Sequence, residues 1–444
     1  MSIKDTIYSA LMKRDPTAEA DLPAEVRGNI ASNGLRIVSA NALQSSGDQT
    51  VNSATVLPWL FATLGVPPAL TGLLVPIRES GSMLPQAFLT PLILRVRYRK
   101  WVFIAGALIQ SLAVGTMALT AALATGLTAG VIILAALMTF SLGRCLSSIA
   151  SKDVQGRTVP KGERGQINGL ATTAAGFVAI TLGLAIRFFG GTDLTNVQLA
   201  WLLAIGAALW VGVGLIYTGI REPNQDQDRH NPDTNETEER TNTFVQMAQL
   251  LRDDKEFRHF VTVRSLLLVS SLSPPYVVTL SIQYGADTLA GLGGFIIASG
   301  IAALLGGRIF GRLADRSSKH LMSIGAGIAS TIVLAIVILA TIPELLAENW
   351  VTNVIFIGVY FTLTLMHTGV RIGRKTYVVD MAEGDQRTTY VAVSNTALGL
   401  VLLLIGGISS VLATWHVAFA LLFLAASGFI GVFAGARLPN VSRS

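Results

Sequence analysis

Apolar stretches of about twenty residues alternate with short polar breaks along most of the chain. A helix needs roughly 20 apolar residues to cross about 30 Å of hydrocarbon, so this pattern predicts membrane-spanning helices. Twelve of them, numbered 1 to 12 in chain order, are predicted at residues 35–63, 68–94, 101–122, 128–150, 166–189, 197–219, 258–284, 288–312, 320–342, 350–373, 388–411 and 416–437. Helices 1 and 7 are the most polar, and hydropathy alone detects them least readily.

Composition agrees with an integral membrane protein. Hydrophobic residues make up 51% of the chain and charged residues only 14%, whereas soluble domains carry about 25% charged residues. The mean hydropathy is +0.56. Cys145 is the single cysteine, which excludes an intrachain disulfide and a cysteine zinc cluster. We predict no metal and no cofactor. Residues 1–33 lack the apolar core of a secretory signal and are expected to form a retained cytoplasmic tail.

Basic residues orient the predicted helices. Lys and Arg concentrate in the connections that follow even-numbered helices, and the opposite connections hold almost none apart from Arg187. By the positive-inside rule, the basic connections and both termini are cytoplasmic. The net charge of +6 therefore reflects orientation in an inner (plasma) membrane rather than nucleic-acid binding. The basic residues are Arg95, Arg97, Arg99, Lys100, Lys152, Arg157, Lys161, Arg164, Arg308, Arg312, Arg316, Lys319, Arg371, Arg374, Lys375 and Arg387.

The chain also repeats. A shift of 223 residues places Lys152 on Lys375, Arg164 on Arg387 and Gly183 on Gly406, which predicts two parallel six-helix halves. Between the halves lies a polar stretch, Arg221 to Arg240, with no large apolar residue. The predicted organisation is a cytoplasmic tail 1–33, a six-helix bundle 34–220, a cytoplasmic linker 221–257, a second six-helix bundle 258–438 and a tail 439–444.

The segment GRLADRSSKH, from Gly311 to His320, joins helices 8 and 9. It resembles the Gly-x-Leu-Ala-Asp-Arg signature loop of the major facilitator superfamily, whose members are secondary transporters with twelve helices in two halves. The resemblance implies that Gly311, Arg312, Asp315 and Arg316 form a latch between helix ends. Asp315 would meet the positive N-terminus of helix 11, and Asp380 or Glu383 would pair with the arginines. The equivalent first-half loop has Leu92 where the acid would be.

Polar side chains at membrane depth are the candidates for contact with a solute. Helix 1 carries Asn41, Gln44, Ser45, Asp48, Asn52 and Thr55 at helical spacing, a stripe that cannot face lipid. The resemblance implies that helices 1, 4, 7 and 10 line a central cavity. The substrate-cavity candidates are Asn41, Gln44, Asn52, Arg144, Tyr276, Gln283, His367 and Arg371. His367 is alternatively a hydrogen-bonded packing residue, while Arg144 and Arg264 lie close enough to the predicted helix ends for their side chains to snorkel.

Three charges lie near the middle of helices 1 and 2. Asp48, Arg78 and Glu79 fall at similar depths if each residue rises 1.5 Å, and each ionised group there costs at least about 2.5 to 3.5 kcal/mol. We predict that Arg78 faces Asp48, which leaves two acids and one base with a surplus negative charge. One interpretation is a buried ion pair that fixes helix 1 against helix 2. The other makes one carboxylate a site of proton coupling.

These features predict an all-α transporter that moves a small-molecule substrate by alternating access, coupled to protons. An alternative is a transporter-like protein that acts in assembly or sensing without transport. No Gly-x-x-x-x-Gly-Lys-Ser/Thr nucleotide loop occurs, and the five histidines are scattered, so neither an ATP-driven pump nor an enzyme is favoured. The expected partners are the solute, protons and membrane lipid, without nucleic acid, and the chain is expected to be a monomer.

Overall fold

The computed structural model describes residues 3–11, 14, 19, 24–160, 163–189, 195–223, 249–284, 289–342, 350–381, 386–439 and 441. Helices and short turns account for these residues, and no strand occurs among them. The all-α fold predicted from the hydrophobic pattern is therefore confirmed. Eight helices in the described ranges are long and apolar enough to cross a membrane, and helix 7 is one of them.

Each of the twelve predicted spans overlaps at least one of the described helices. In the first half they are Ile30–Thr50 and Val56–Thr63 (helix 1), Pro68–Thr71, Leu74–Met83 and Gln86–Leu94 (helix 2), Arg99–Leu123 (helix 3), Gly126–Thr158 (helix 4), Glu163–Phe189 (helix 5) and Asn196–Thr218 (helix 6). In the second half they are Lys255–Leu266 and Val269–Gln283 (helix 7), Leu289–Ala340 (helices 8 and 9), Trp350–Met381 (helix 10), Gln386–Ala413 (helix 11) and Val417–Gly435 (helix 12). Two short helices, Ile3–Leu11 and Ala24–Arg27, precede them.

Helices 1 and 2 are broken, whereas the apolar pattern predicted continuous rods. Helix 1 stops at Thr50, turns through residues 51–55 and resumes at Val56. The carbonyl of Asn52 holds this turn by accepting from the backbone amides of Thr55 and Leu57. Helix 2 is interrupted before Pro85, whose ring nitrogen has no hydrogen to donate. Neither helix is among the eight candidate spans, which reflects these breaks as much as their polarity.

The connection between helices 8 and 9 is shorter than predicted. The helical backbone runs from Leu289 to Ala340 and departs from helical geometry only at Ser317. The Ser317 hydroxyl oxygen accepts from the His320 amide at 3.4 Å, as a helix N-cap does. Most of the signature segment is therefore helix rather than loop. Its small residues allow a sharp change of direction at one position.

The described chain divides into two compact units. Unit 1 comprises Met1–Leu70, Ile77–Asn224 and Asp287–Gly300, and unit 2 comprises Thr71–Pro76, Gln225–Ala286 and Ile301–Ser444. One contact recurs in both. In unit 1, Lys100 Nζ donates to the carbonyl of Ile220 at 2.8 Å, just beyond helix 6. In unit 2, Lys319 Nζ donates to the carbonyl of Leu438 at 2.5 Å, just beyond helix 12. Each lysine satisfies carbonyls that a helix end leaves unpaired.

A tyrosine–carboxylate bond also occurs near the helix ends of each unit. Tyr8, on the helix Ile3–Leu11, donates to Glu163 at 2.5 Å, and both residues are fully buried. Tyr390 donates to Asp254, the N-cap of helix 7, also at 2.5 Å. The N-terminal tail thus includes a helix that is fastened to the membrane domain.

Candidate functional site

The break in helix 1 sets the geometry around Asp48. Asp48 lies in the last turn of the first piece of helix 1, which ends at Thr50. Because the helix stops there, the carbonyl of Val51 is available, and Arg78 Nη1 donates to it at 3.5 Å. A broken helix at membrane depth requires side chains or polar surroundings that satisfy the freed backbone. Asp48 and Val51 together present an acceptor surface towards helix 2.

Asp48 binds two arginines. Arg144 Nη1, from helix 4, lies 2.5 Å from Oδ2 and 2.6 Å from Oδ1 of Asp48. Arg78 Nη2, from helix 2, lies 3.3 Å from Oδ1. The exposed fractions of the side chains are 17% for Asp48, 17% for Arg78 and 31% for Arg144. One carboxylate therefore joins three helices of unit 1, and its closer partner is Arg144.

Aromatic packing holds Arg78 from the other side. Its guanidinium carbon lies 5.9 Å from the centre of the Phe140 ring, within the range of a cation–π interaction. Phe140 in turn meets Trp210 edge to face, with 5.7 Å between ring centres. Phe140 and Trp210 are both fully buried. Arg78 is thus fixed by packing as well as by its weaker contact with Asp48.

Glu79 is the second acid of the group. Its side chain is half-buried, and no hydrogen bond or ion pair joins its carboxylate to another residue of the described ranges. Its negative charge nevertheless interacts electrostatically with Arg144, more weakly than the charge of Asp48 does. The surplus negative charge predicted from the sequence was therefore wrong. With Arg144 included, the group holds two acids and two bases and is neutral when all four are ionised.

The snorkelling predicted for Arg144 and Arg264 is not observed. Helix 4 continues to Thr158 instead of ending near residue 150, so Arg144 lies fourteen residues inside it and cannot reach the helix end. The 223-residue repeat in the sequence already indicated an interior position for Arg144, because it places Arg144 on His367. Basic side chains at equivalent points of the two halves suit a polar interior better than a helix end.

Arg264, on helix 7, is buried with 6% of its surface exposed. Its Nη1 donates to Ser394 Oγ at 2.7 Å and its Nη2 to Asn395 Oδ1 at 2.9 Å. Both partners lie on helix 11 and are uncharged. Sequence reasoning did not single out Ser394 or Asn395, since neither carries a charge. The guanidinium group of Arg264 therefore lies inside unit 2.

The other candidates of helix 1, Asn41, Gln44 and Asn52, differ in their structural surroundings. Asn41 and Gln44 are half-buried, two turns and one turn before Asp48 respectively. Asn52 lies in the break, where its side-chain oxygen accepts from the amide of Ala54 at 2.9 Å. This bond stabilises the turn. Asn41 and Gln44 therefore extend the Asp48 face of the helix, and Asn52 does not.

No hydrogen bond or ion pair in the described ranges joins the second-half candidates to one another. Tyr276 is fully buried and donates to Ser409 Oγ at 3.2 Å. Gln283 is exposed at the last residue of helix 7. His367 is half-buried, and its Nδ1 has no hydrogen-bond partner in the described ranges. Arg371, one turn further along helix 10, is exposed. His367 and Arg371 are four residues apart on helix 10, which places them on the same face of that helix.

The latch residues are only partly described. Arg316 is exposed at the end of helix 8. Gly311 lies within the helix Leu289–Ala340. The side chains of Arg312 and Asp315 lie outside the described part of the structure, as do those of Asp380 and Glu383. The latch stays a prediction. Among the described residues, no three His, Cys, Asp or Glu side chains converge as metal ligands would.

A sequence model of the Major Facilitator Superfamily matches residues 38–404, which is most of the chain. This chain belongs to the major facilitator superfamily. The resemblance seen in the signature segment is thereby confirmed, and the protein is an integral, multi-pass membrane protein of a transporter family. No curated protein sequence matches it significantly.

Solved structures agree with this superfamily fold. A D-xylose–proton symporter superposes with a TM-score of 0.67 at 13% identity, covering 92% of this chain and 98% of its own. A nucleoside transporter gives 0.65 at 14% identity, covering 91% and 98%. A peptide transporter gives 0.65 at 11% identity, covering 99% and 98%. At these identities the likeness shows the fold, and neighbours with three kinds of solute leave the solute of this chain open.

Proposed function

We propose that this superfamily member is a proton-coupled secondary transporter that moves a small solute by alternating access. The observation that carries the proposal is the arrangement around Arg144, which binds Asp48 directly and also lies within range of Glu79. Asp48 is held by two arginines, whereas Glu79 has no direct partner in the described ranges. Glu79 is therefore the better candidate for the proton site, and Asp48 is the fixed counter-charge.

In this mechanism a proton changes which acid attracts Arg144. When Glu79 is ionised, it competes with Asp48 for the guanidinium, and the four-residue group is neutral. When Glu79 is protonated, Arg144 pairs with Asp48 alone, and the group carries one net positive charge. Burial amplifies this change, because charges interact more strongly away from water. Proton loading thus alters the contacts that hold helix 4 against helices 1 and 2.

Replacing Glu79 with Gln should uncouple transport from protons. In liposomes, we expect uptake driven by a pH gradient to fall at least about tenfold, which corresponds to 1.4 kcal/mol. Exchange of labelled for unlabelled solute should persist, since that cycle requires no proton release. The solute would be one identified by thermal-shift screening of the purified protein.

The control for this experiment is Glu256→Gln, which removes an exposed acid at the start of helix 7 and should leave the pH response intact. A Glu79→Gln protein that folds and still responds fully to a pH gradient would mean that the four charges only hold helices together. Solute binding without any flux in the unmodified protein would favour the alternative role in sensing or assembly.

The same proposal places Ser317 on the cytoplasmic side, as the basic connections predict. Ser317 and Thr341 bracket helix 9, whose length of about 35 Å at 1.5 Å per residue suffices to cross a bilayer. Single cysteines at these positions, in a Cys145→Ala background, should react with an impermeant maleimide from opposite sides of the membrane. Position 317 should be labelled in inverted vesicles, and position 341 in right-side-out vesicles. Labelling of both from one side would contradict the topology.

A further inference from the structure

We infer that Arg264 binds an anionic group, and that the solute moved under the proposed function therefore carries a carboxylate or a phosphate. This inference rests on that function but has its own evidence. The evidence is the contrast between Arg144 in unit 1 and Arg264 in unit 2. In unit 1, Arg144 has an acid of the chain, Asp48, at ion-pair distance. In unit 2, Arg264 is more deeply buried and has none among the described residues.

Most of helix 7 and all of helix 11 lack acidic residues. Residues 257–286, which contain all of helix 7 except Lys255 and Glu256, include no Asp or Glu. The same holds for residues 350–379, which are helix 10 up to Asp380, and for residues 386–444, which contain helices 11 and 12. Helix 11, which holds the two hydrogen-bond partners of Arg264, therefore carries no acid over its whole length, Gln386–Ala413.

Neutral hydrogen bonds do not compensate a buried cation. Ser394 and Asn395 satisfy two N–H groups of Arg264, but the guanidinium charge remains. Arg374, also buried, acts on Arg264 with charge of the same sign. A buried charge is unfavourable unless it is paired and hydrogen-bonded. An anion beside Arg264 would remove this imbalance.

The surrounding donors suit such a ligand. The Nε–H of Arg264 is buried and makes no hydrogen bond to the described residues. Asn395 uses its oxygen to accept from Arg264, which leaves its amide N–H groups available, and its side chain is half-buried. Ser394 donates to the carbonyl of Val391 at 3.2 Å, so its hydroxyl is oriented to accept from Arg264. Guanidinium and amide N–H groups together match the oxygens of a carboxylate or phosphate.

The test is a thermal-shift titration of the purified full-length protein in HEPES–Tris, which supplies no small anion. The probes are sodium acetate, benzoate, phosphate and chloride, with acetamide and benzamide as uncharged counterparts. We expect at least one carboxylate or phosphate to raise the melting temperature by about 2 °C or more at saturation. The amides should have no effect. Stabilisation by chloride alone, or by no anion, would overturn the inference.

Arg264→Gln separates ligand binding from a purely structural role. It should weaken the anion response at least about tenfold, as loss of a charged hydrogen-bond donor does. In the absence of anions it should melt at or above the temperature of the unmodified protein, because an uncompensated charge has been removed. If Arg264 only joins helices 7 and 11, the variant should melt lower with and without anions, and the inference fails.

Two controls complete the design. Lys255→Gln removes an exposed cation of the same helix and should keep the full anion response. Asp48→Asn should also keep it, although the proposed proton coupling would be lost. An anion response without proton-driven transport would refute the proposed coupling and leave the Arg264 site standing. Proton-driven transport of an uncharged solute would refute the Arg264 inference and leave the proposed coupling standing.

Discussion

Replacing Asp48 with Asn is expected to destabilise the protein and to abolish proton-driven transport. The substitution removes the only acid that directly binds Arg78 and Arg144 among the described residues, so two guanidinium groups would face each other across a neutral amide. Breaking a fully buried ion pair costs about 3 to 5 kcal/mol. Because Arg144 is 31% exposed, we expect a smaller loss of about 2 kcal/mol. Thermal unfolding in detergent and flux in liposomes measure the two effects.

A double variant distinguishes charge imbalance from lost packing. Asp48→Asn combined with Arg144→Met removes one charge of each sign, and we expect it to recover most of the melting temperature without recovering transport. Arg144→Met alone leaves Arg78 as the partner of Asp48 and should cost less than Asp48→Asn. Additive losses in the double variant would show that these side chains do not interact, contrary to the observed 2.5 Å contact.

Replacing Gly106 with Ala should loosen the packing of helix 3 against helix 4. A Cβ atom at position 106 would lie 2.6 Å from the carbonyl oxygen of Gly143, and a Cβ at 143 would lie 2.8 Å from the carbonyl oxygen of Gly106. Real contacts of a Cβ are almost never shorter than 3.0 Å. The two glycines therefore let the helix backbones touch, as small residues do in membrane proteins. Separating them should cost about 2 kcal/mol, seen as a lower melting temperature.

Gly115 provides a matched control on the same helix. Apart from the backbone of its own helix turn, no described atom lies within 4 Å of a Cβ placed there, so Gly115→Ala should be neutral or stabilise helix 3 by up to about 1 kcal/mol. Equal effects of the two substitutions would mean that helix propensity, rather than contact between helices 3 and 4, decides the outcome. Since helix 4 carries Arg144, a shifted helix 4 should also reduce transport in Gly106→Ala.

Much of the fold follows from the sequence for a simple reason. A bilayer requires each crossing segment to be apolar and to satisfy its own backbone hydrogen bonds, so hydropathy locates helices without knowledge of their neighbours. The described helices accordingly fall in all twelve predicted spans. The superfamily was also predictable, because the segment from Gly311 to Ser317 carries a recognisable sequence signature.

Helix ends were harder to predict because they depend on single residues and on polar contacts. Helix 4 runs to Thr158 through a segment with Lys152, Asp153 and Arg157, which hydropathy excludes from a membrane span. Asp153 lies 3.1 Å from Arg157 and 3.1 Å from Arg99, and these pairs support a polar extension of the helix. Only the packing of helix 3 against helix 4 brings Arg99 to that position.

The candidate site was likewise predictable only in part from the sequence. From the sequence alone, equal depth along two helices placed Asp48 beside Arg78, and composition assigned the chain to the membrane. Depth does not fix the rotation of a helix or the identity of its neighbours, so the closer partner, Arg144, could be identified only when helix 4 was packed against helix 1. The break at residues 51–55 was likewise decided in three dimensions, since the Val51 carbonyl needs Arg78 as a donor. The sequence determined which charges lie inside the membrane domain, and the tertiary structure decided that Arg144 is paired with an acid, whereas Arg264 has no acidic partner among the described residues.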